Sequence, residues 1–251
     1  MIDNEEELTS FLSAFSQIPE KKILVHGGGK IATQIGNKLD IAPNYHEGRR
    51  ITDDDTIDLV TMVYGGLVNK RIVAQINRNG ADAIGLTGAD ANLILAHRRP
   101  MQNDIDFGWV GDIESVNMDF LENTLKQNMI PVLAPLTADR EGHILNTNAD
   151  TIASAVAAEL SVRFETQLIY CFEKVGVLKD VDDPESIIQE INLESFEAIR
   201  SSGSVHSGML PKMSNSFDAL KRGVEQVIIG HSKYIKQLTQ SNFENCTRIN
   251  L

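Results

Sequence analysis

Short apolar runs rich in β-branched residues alternate along the whole chain with longer segments whose apolar residues recur at helical spacing. Five such runs stand out, in sequence order: KILVHGGG, ADAIGLTG, IPVLAPL, QLIYCF and VEQVIIG. Strands that alternate with helices are typical of a parallel sheet, because each return to such a sheet needs a long crossover connection. The pattern therefore predicts an α/β fold with a mainly parallel sheet and crossover helices.

The composition limits the size of the fold and the class of ligand. The 251 residues are 42% hydrophobic, which is enough for one large α/β domain or two unequal lobes. The 35 acidic residues exceed the 23 basic ones and give a formal net charge of -12. Such a surface repels phosphate backbones, so we predict no nucleic-acid partner. A few basic side chains and helix N-termini can still make one cleft positive for a small anion.

Cysteine usage and hydropathy bear on the compartment. Cys171 and Cys246 lie far apart, and neither belongs to a CxxC motif or to a cluster with metal-ligand spacing. This usage favours a reducing cytoplasm. The N-terminus MIDNEEELTS has no apolar segment, and no run of about 18 apolar residues follows it. We predict a soluble, cytoplasmic protein without a membrane partner.

One long helix is predicted from about Asp53 to Arg78, with Thr52 as its N-cap and Asn79-Gly80 at its end. Gly65-Gly66 lie in its middle and would cost stability unless another backbone approaches them. A contact between subunits or lobes is one interpretation, and a helix kinked at the glycine pair is the other.

A strand, a glycine turn and a helix are predicted around Gly27-Gly28-Gly29. Glycines let backbone N–H groups approach a carboxylate or phosphate, and the helix dipole favours its charge, although tight packing alone is the alternative. The GxGxxA pattern completed by Ala32 is also found in nicotinamide oxidoreductases, but these need a second strand that ends in an acidic residue, and the segment DIAPNYH before Glu47 is a poor strand. No nucleophile motif accompanies His26, which we therefore interpret as a packing or hydrogen-bonding residue.

Two other groups of polar residues are candidates for a binding site. Arg49-Arg50 precede the long helix and could clamp a carboxylate, or form a solvated surface pair. Asn146, Asn148 and Asp150 alternate before the helix TIASAVAAEL. Three alternating groups exceed what a helix cap needs, because alternate positions in an extended chain face one side.

Lys212, in SGMLPKM, lies near the N-terminus of another predicted helix. A lysine there opposes the helix dipole unless an anion shares the site. A surface lysine whose stem covers apolar surface is the alternative.

Taken in order, six motifs resemble the acetylglutamate kinase branch of the amino acid kinase family: VHGGGK, GRRIT, YGGLVNK, GLTGAD, LNTNADTIA and SGMLPK. The resemblance covers nearly the whole chain. It implies an open αβα sandwich, with an N-terminal lobe over residues 1–165 for the acyl amino acid and dimerisation, and a C-terminal lobe over residues 166–251 for ATP. It also implies phosphorylation of the γ-carboxylate of N-acetyl-L-glutamate, the second step of arginine biosynthesis.

The same resemblance implies roles for individual residues. Lys212 would stabilise the phosphoryl group in flight, and Asp150 would orient the catalytic lysines. The substrate-binding residues would be Gly28, Gly29, Arg50, Asn146 and Asn148. The ATP contacts would be Glu173, Lys174, Val175, Gly176, Val177, Leu178, Ser204, Val205 and His206. Mg²⁺ would be held mainly by the nucleotide phosphates. The acceptor carboxylate is already ionised at pH 7, so no general base is expected.

Two segments depart from the family. Members begin with a strand that ends in KxGG, whose lysine contacts the ATP phosphates, whereas MIDNEEELTSFL corresponds to the segment after that strand. We expect either a later or truncated start, or an impaired protein such as a sensor that binds an acyl amino acid or nucleotide without catalysis. In residues 170–174, YCFEK replaces the serine or threonine and the aspartate that the family more often has.

The quaternary structure and the acyl group are further expectations from the resemblance. The arginine-sensitive branch carries an additional N-terminal helix, which this chain lacks, so we expect a homodimer through residues 53–78 that is insensitive to arginine. N-succinyl-glutamate and acetyl-aminoadipate are alternative substrates, because one methylene changes discrimination by only about 1 to 3 kcal/mol.

Overall fold

The computed structural model describes residues 1–46, 49–180, 182–183, 185–202, 209–240 and 243–251. The helices are α1 (Glu5–Ser16), α2 (Gly29–Lys38), α3 (Asp54–Val60), α4 (Asn69–Arg78), α5 (Met118–Lys126), α6 (Ala149–Leu160), α7 (Leu193–Ser202), α8 (Met209–Lys221) and α9 (Ile235–Thr239). A π-helical segment, Thr61–Val68, joins α3 to α4, and short 3-10 turns cover Asp90–Asn92 and Ser232–Tyr234.

The strands are β1 (Leu24–Val25), β2 (Asn44–His46), β3 (Arg49–Ile51), β4 (Ala83–Leu86), β5 (Ile94–Arg98), β6 (Gly111–Val116), β7 (Ile130–Leu133), β8 (Leu136–Ala138), β9 (Ile144–Asn146), β10 (Gln167–Phe172), β11 (Glu190–Ile191), β12 (Gln226–His231) and β13 (Cys246–Ile249). All five apolar runs singled out in the sequence contain a strand. Among the described residues, none of the helices has the length and apolar character needed to span a membrane.

The chain divides into two compact units, one made of residues 19–152 and the other of residues 3–18 together with 153–251. The division falls inside α6, whereas the sequence predicted a boundary at residue 165 with the first helix in the N-terminal lobe. Helix α1 belongs to the unit of residues 153–251 because it packs with α9. Its buried face includes Leu8, Phe11 and Leu12.

The unit of residues 19–152 is built on a parallel sheet in the order β1-β7-β4. Leu24 pairs with Val132, and Gly85 pairs with the same residue from the other side. A second sheet, in the order β6-β5-β8-β9, and the hairpin β2-β3 complete the strands of this unit. The carboxyl ends of the parallel strands meet at one edge, where α/β proteins commonly bind ligands.

The other unit is built on the sheet β10-β12-β13-β11. Strands β10 and β12 are parallel in unbroken register from Gln167 with Gln226 to Phe172 with His231. Val227 and Ile229 of β12 are fully buried against apolar residues of α8, including Met213. Parallel strands with crossover helices in both units confirm the predicted α/β class.

The long helix of residues 54–78 is continuous, but its start and its middle differ from the prediction. Asp53 is the N-cap, because its carboxylate accepts the N–H of Thr56 at 2.9 Å. The predicted cap, Thr52, is instead fully buried. Gly65 lies in the π-helical segment, and a Cβ there would lie 3.3 Å from Leu136 Cδ1. Gly65 thus has a close neighbour, whereas a Cβ on Gly66 would meet nothing within 4 Å.

Candidate active site

The glycine turn lies directly after β1. The N–H of His26 donates to the Leu133 carbonyl at 3.1 Å, which extends the pairing of β1 with β7 by one residue. Helix α2 then begins at Gly29, and Gly28 at its N-cap has no side chain with which to cap it. The first N–H groups of a helix have no partner within the helix, so this end of α2 can receive an anion.

Arg50 reaches the glycine turn from β3. Its Nη2 donates to Thr33 Oγ1 at 2.8 Å, to Tyr45 Oη at 2.5 Å and to the Gly29 carbonyl at 3.3 Å. Only 9% of Arg50 is exposed, and these partners are uncharged, so none of them cancels its positive charge. The structure thus joins two motifs that the sequence separates. The neighbouring Arg49 is exposed.

Tyr64, in the π-helical segment, is a member of this site that the sequence analysis missed. A Cβ on Gly28 would lie 2.8 Å from the Cδ1 of its ring, so the backbone of the turn rests on the tyrosine. Burial raises the pKa of Tyr64, while the charge of Arg50 and its hydrogen bond to the hydroxyl act in the opposite direction. In the sequence, its position next to Gly65-Gly66 on the long helix was the one feature that could have indicated a close approach of another segment to Tyr64.

Asn146 is connected to the segment that carries Arg50. Its Nδ2 donates to Thr52 Oγ1 at 3.0 Å, and its N–H donates to the Trp109 carbonyl at 2.8 Å. Hydrogen bonds therefore link Arg50 to the glycine turn and Asn146 to Thr52, which lies two residues after Arg50 in the same unit. These are three of the predicted elements of the substrate site.

Asn148 and Asp150 depart from the alternation that the sequence suggested. Asn148 Oδ1 accepts the N–H groups of Asp150 and Thr151 at 2.8 and 3.1 Å, so Asn148 caps α6. The extended chain ends there, and Asp150 lies in the first turn of the helix. Because helical residues do not alternate in direction, the argument that placed Asp150 on the side of Asn146 was wrong. Substrate contacts of Asn148 and Asp150 stay predictions.

Lys212 lies in the first turns of α8, as predicted. Its Nζ is 4.4 Å from the centre of the Tyr170 ring on β10, a distance at which the ring face attracts a cation. The positive charge also acts on Cys171, the next residue of β10. Burial raises the pKa of that thiol to about 12, and Lys212 opposes the rise. Lys212 thus lies over the carboxyl-terminal half of β10.

The predicted ATP-binding segment follows β10 and has two different halves. Glu173 and Lys174 are exposed, and the amino group of Met1 lies 3.6 Å from the Glu173 carboxylate. Val177 and Leu178 are buried in the core of this unit. Any contact of those two residues with a nucleotide would therefore involve backbone groups.

Gly176 and Val177 are fixed against β13. The N–H of Val177 donates to Thr247 Oγ1 at 2.8 Å, and a Cβ on Gly176 would lie 2.6 Å from the same oxygen. The other predicted ATP contacts, Ser204, Val205 and His206, lie outside the described residues.

Comparison with known proteins places this arrangement in a family. The family model described as "Amino acid kinase family" matches residues 1–231. The chain belongs to the amino acid kinase family. A protein of Cytophaga hutchinsonii named acetylglutamate kinase is 50% identical over 242 residues, which cover 96% of this amino acid kinase and 92% of the relative. A protein of Parabacteroides distasonis with the same name is 48% identical over 237 residues, which cover 94% of this chain and 92% of the relative.

The fold of this amino acid kinase is also found in solved structures. N-acetylglutamate synthase from Neisseria gonorrhoeae matches 99% of the chain with a TM-score of 0.83 at 20% identity. The chain spans 57% of the length of that protein. At this identity the likeness concerns the fold alone, and it confirms the predicted amino acid kinase-like α/β fold.

Proposed function

We propose that the chain transfers the terminal phosphoryl group of MgATP to the γ-carboxylate of N-acetyl-L-glutamate, which forms an acyl phosphate in the second step of arginine biosynthesis. The observation that carries this proposal is that one unit holds Arg50 on the glycine turn and Asn146 on Thr52, two residues after Arg50. The two relatives named acetylglutamate kinase, each about half identical over nearly the whole chain, support it.

The acceptor has two carboxylates, and the site offers two matching groups. Arg50, buried and held by uncharged partners, would bind the α-carboxylate through charge-assisted hydrogen bonds. The N–H groups at the start of α2 would receive the γ-carboxylate and the phosphoryl group that it attacks. Asn146 would hold the rest of the substrate through its side-chain amide.

The chemical difficulty is electrostatic repulsion. The attacking carboxylate is already ionised, so no proton has to be removed, but two anions must approach each other. Fixed N–H groups and cations stabilise the charge that spreads over the phosphoryl oxygens in the transition state. In this proposal Lys212 supplies one such cation, Asp150 orients it, and the residues after β10 bind the nucleotide.

A homodimer in the cytoplasm that does not respond to arginine completes the proposal. Met62 on the π-helical segment is 58% exposed, and a large apolar side chain on the outside of the long helix suits a subunit contact. Sedimentation of the purified chain should give a dimer that Met62→Glu weakens and that arginine leaves unchanged. An arginine-responsive hexamer would contradict this part of the proposal.

The activity itself can be tested by trapping the product. An acyl phosphate reacts with hydroxylamine to give a hydroxamate, so N-acetyl-L-glutamate and MgATP should yield equal amounts of hydroxamate and ADP. N-succinyl-L-glutamate and N-acetyl-aminoadipate serve as parallel substrates and rank the acyl group and chain length. Calorimetric binding of the acyl amino acid without turnover would identify a sensor instead, and no hydroxamate from any of the three would refute the kinase proposal.

A further inference from the structure

A buried polar network lies behind the glycine turn. The ring of His26 contacts the carbonyl oxygen of the next residue, Gly27, with Nδ1 at 2.7 Å. Its Nε2 lies 3.1 Å from Asn69 Nδ2, at the junction of the π-helical segment with α4. His26 and Asn69 are 3% and 0% exposed, so water does not compete for these hydrogen bonds.

Chemistry fixes the direction of every hydrogen bond in the network. A carbonyl oxygen only accepts, so Nδ1 carries the proton and donates it to Gly27. Burial lowers the pKa of His26 to about 4, so the ring is neutral at pH 7 and Nε2 is an acceptor. The two hydrogens of Asn69 Nδ2 then go to His26 Nε2 and to the Val132 carbonyl at 2.9 Å.

The position of the Gly27 carbonyl determines where the next N–H points. The described residues contain no cis peptide bond, and across a trans peptide the C=O and the following N–H point in opposite directions. Because the Gly27 carbonyl is held toward the buried imidazole, the N–H of Gly28 is held away from it. His26 therefore controls the direction of a backbone donor without being exposed to a ligand.

The π-helical segment supports the turn at a second point. The ring of Tyr64 lies against Gly28, and the N–H of Asn69 donates to the Tyr64 carbonyl, five residues earlier. In an α-helix, residues five apart point about 140° away from each other. A π-helical turn brings such residues one above the other, so Tyr64 lies against Gly28 while Asn69 contacts His26, which precedes the glycine turn.

Strand β4, on the other side of β7 from β1, leaves room for the Asn69 side chain. A Cβ on Gly85 of β4 would overlap Asn69 Oδ1, so only glycine leaves space for this amide. Lys70 Nζ donates to Asn69 Oδ1 at 3.2 Å, which satisfies the remaining side of the amide.

We propose that His26, Asn69 and Tyr64 are positioning residues, which hold the Gly27–Gly28 peptide so that the Gly28 N–H faces the anion bound at the glycine turn. The inference rests on the proposed function, because the anion is taken to be the acceptor carboxylate and the phosphoryl group that it attacks. Removing one such donor from an active site commonly lowers kcat by about 100- to 1000-fold.

Two neutral substitutions of His26 separate positioning from folding. In His26→Asn the side-chain amide can occupy the place of Nδ1 and still donate to the Gly27 carbonyl. In His26→Gln the amide takes the place of Nε2, where it keeps a contact with Asn69 but loses the one with Gly27. We expect kcat with N-acetyl-L-glutamate to stay within about 10-fold of wild type for His26→Asn and to fall about 100-fold for His26→Gln, with KM for MgATP unchanged.

Tyr64→Phe and Leu121→Ala complete the experiment. Tyr64→Phe keeps the ring under Gly28 and loses only the contact with Arg50, so KM for N-acetyl-L-glutamate should rise several-fold while kcat holds. Leu121 is fully buried on α5, away from the turn, so Leu121→Ala serves as the control for a loss of stability like that expected of the His26 variants. The kcat of Leu121→Ala per folded molecule should equal that of wild type.

The outcomes distinguish the two proposals. Equal kcat values for His26→Asn and His26→Gln, or losses that follow thermal stability as in Leu121→Ala, would overturn the positioning role and leave the kinase proposal standing. A wild-type chain that gives no hydroxamate would overturn the kinase proposal, and the positioning role with it.

Discussion

The two units treat their candidate ligand groups differently. In residues 19–152 the glycine turn is held by buried polar side chains, namely His26, Asn69 and Arg50. In the other unit the sheet is covered by an apolar core, and the predicted nucleotide residues Glu173 and Lys174 lie exposed after β10. The difference indicates that buried polar side chains orient the backbone of the glycine turn, whereas burial of Val177 and backbone hydrogen bonds of that residue with Thr247 and Ile188 hold the proposed nucleotide segment.

Lys212→Ala should have the largest effect on turnover. Lys212 is the proposed cation for the phosphoryl group, so we expect kcat to fall about 1000-fold or more while KM for N-acetyl-L-glutamate changes little. Lys221→Ala, in the last turn of the same helix, is the matched control. Equal losses in the two variants would mean that general charge, and not the position of Lys212, supports catalysis.

Arg50→Lys should change acceptor binding more than the chemical step. An ammonium group cannot reproduce the bonds of the guanidinium to Thr33 and Tyr45 together with a bidentate contact to a carboxylate. We expect KM for N-acetyl-L-glutamate to rise about 10- to 100-fold, as for the loss of one charge-assisted hydrogen bond. Arg49 is one residue earlier and exposed, so Arg49→Lys should leave KM unchanged. A rise in KM for Arg49→Lys would contradict the assignment of the α-carboxylate to Arg50.

Gly28→Ala tests how closely the acceptor site is packed. Its Cβ would lie 2.8 Å from the Tyr64 ring, whereas a Cβ on Gly27 meets nothing within 4 Å. We expect Gly28→Ala to lower the free energy of unfolding by about 1 to 3 kcal/mol, and Gly27→Ala to change it much less. Urea denaturation of both variants gives the comparison, and equal losses would contradict it.

The buried imidazole should make folding stability depend on pH. Burial holds the pKa of His26 at about 4, below the value of about 6.5 in an unfolded chain. The unfolded state therefore binds a proton first as the pH falls, so the contribution is full above pH 6.5 and is lost progressively between pH 6.5 and 4. At pH 5 the loss is about 2 kcal/mol relative to pH 7.5.

This pH dependence is measured by difference. Urea denaturation at the two pH values, compared between wild type and His26→Asn, cancels the contributions of the many carboxylates. Wild type should lose more stability than His26→Asn on going to pH 5. An identical loss in both proteins would show that His26 takes up a proton in the folded state as easily as in the unfolded one.

The smallest effect concerns the helix cap that sequence reasoning treated as part of a pocket. Asn148→Ala removes the acceptor for two N–H groups of α6 and should lower the free energy of unfolding by about 1 kcal/mol. Asn148→Asp keeps the cap and is its control. If Asn148 also contacts substrate, KM for N-acetyl-L-glutamate will rise in both variants.

The strands, the glycine turn and Arg50 were predictable because each leaves a local pattern. Apolar β-branched runs indicate buried strands, and three glycines between a strand and a helix indicate close backbone approach. Arg50 is buried and contacts the Gly29 carbonyl, so the interpretation of a solvated surface pair holds only for Arg49, and the binding of a carboxylate by Arg50 stays a prediction.

The network around Asn69 was not predictable, and neither was the division of the chain. A π-helical turn does not disturb the apolar pattern of residues 54–78 enough to be read from sequence, so nothing indicated that Tyr64 and Asn69 share one side. The packing of α1 with α9 depends on residues more than 200 positions away. Contacts of this kind leave no local periodicity.

A crystal structure with N-acetyl-L-glutamate and a non-hydrolysable ATP analogue would show whether the acceptor binds at the glycine turn. We expect the α-carboxylate on the Arg50 guanidinium and a γ-carboxylate oxygen or its phosphoryl neighbour within hydrogen-bonding distance of the Gly28 N–H. An acyl amino acid bound away from the glycine turn would contradict the proposed acceptor site, and a Gly28 N–H that points back toward His26 would contradict the positioning role of His26.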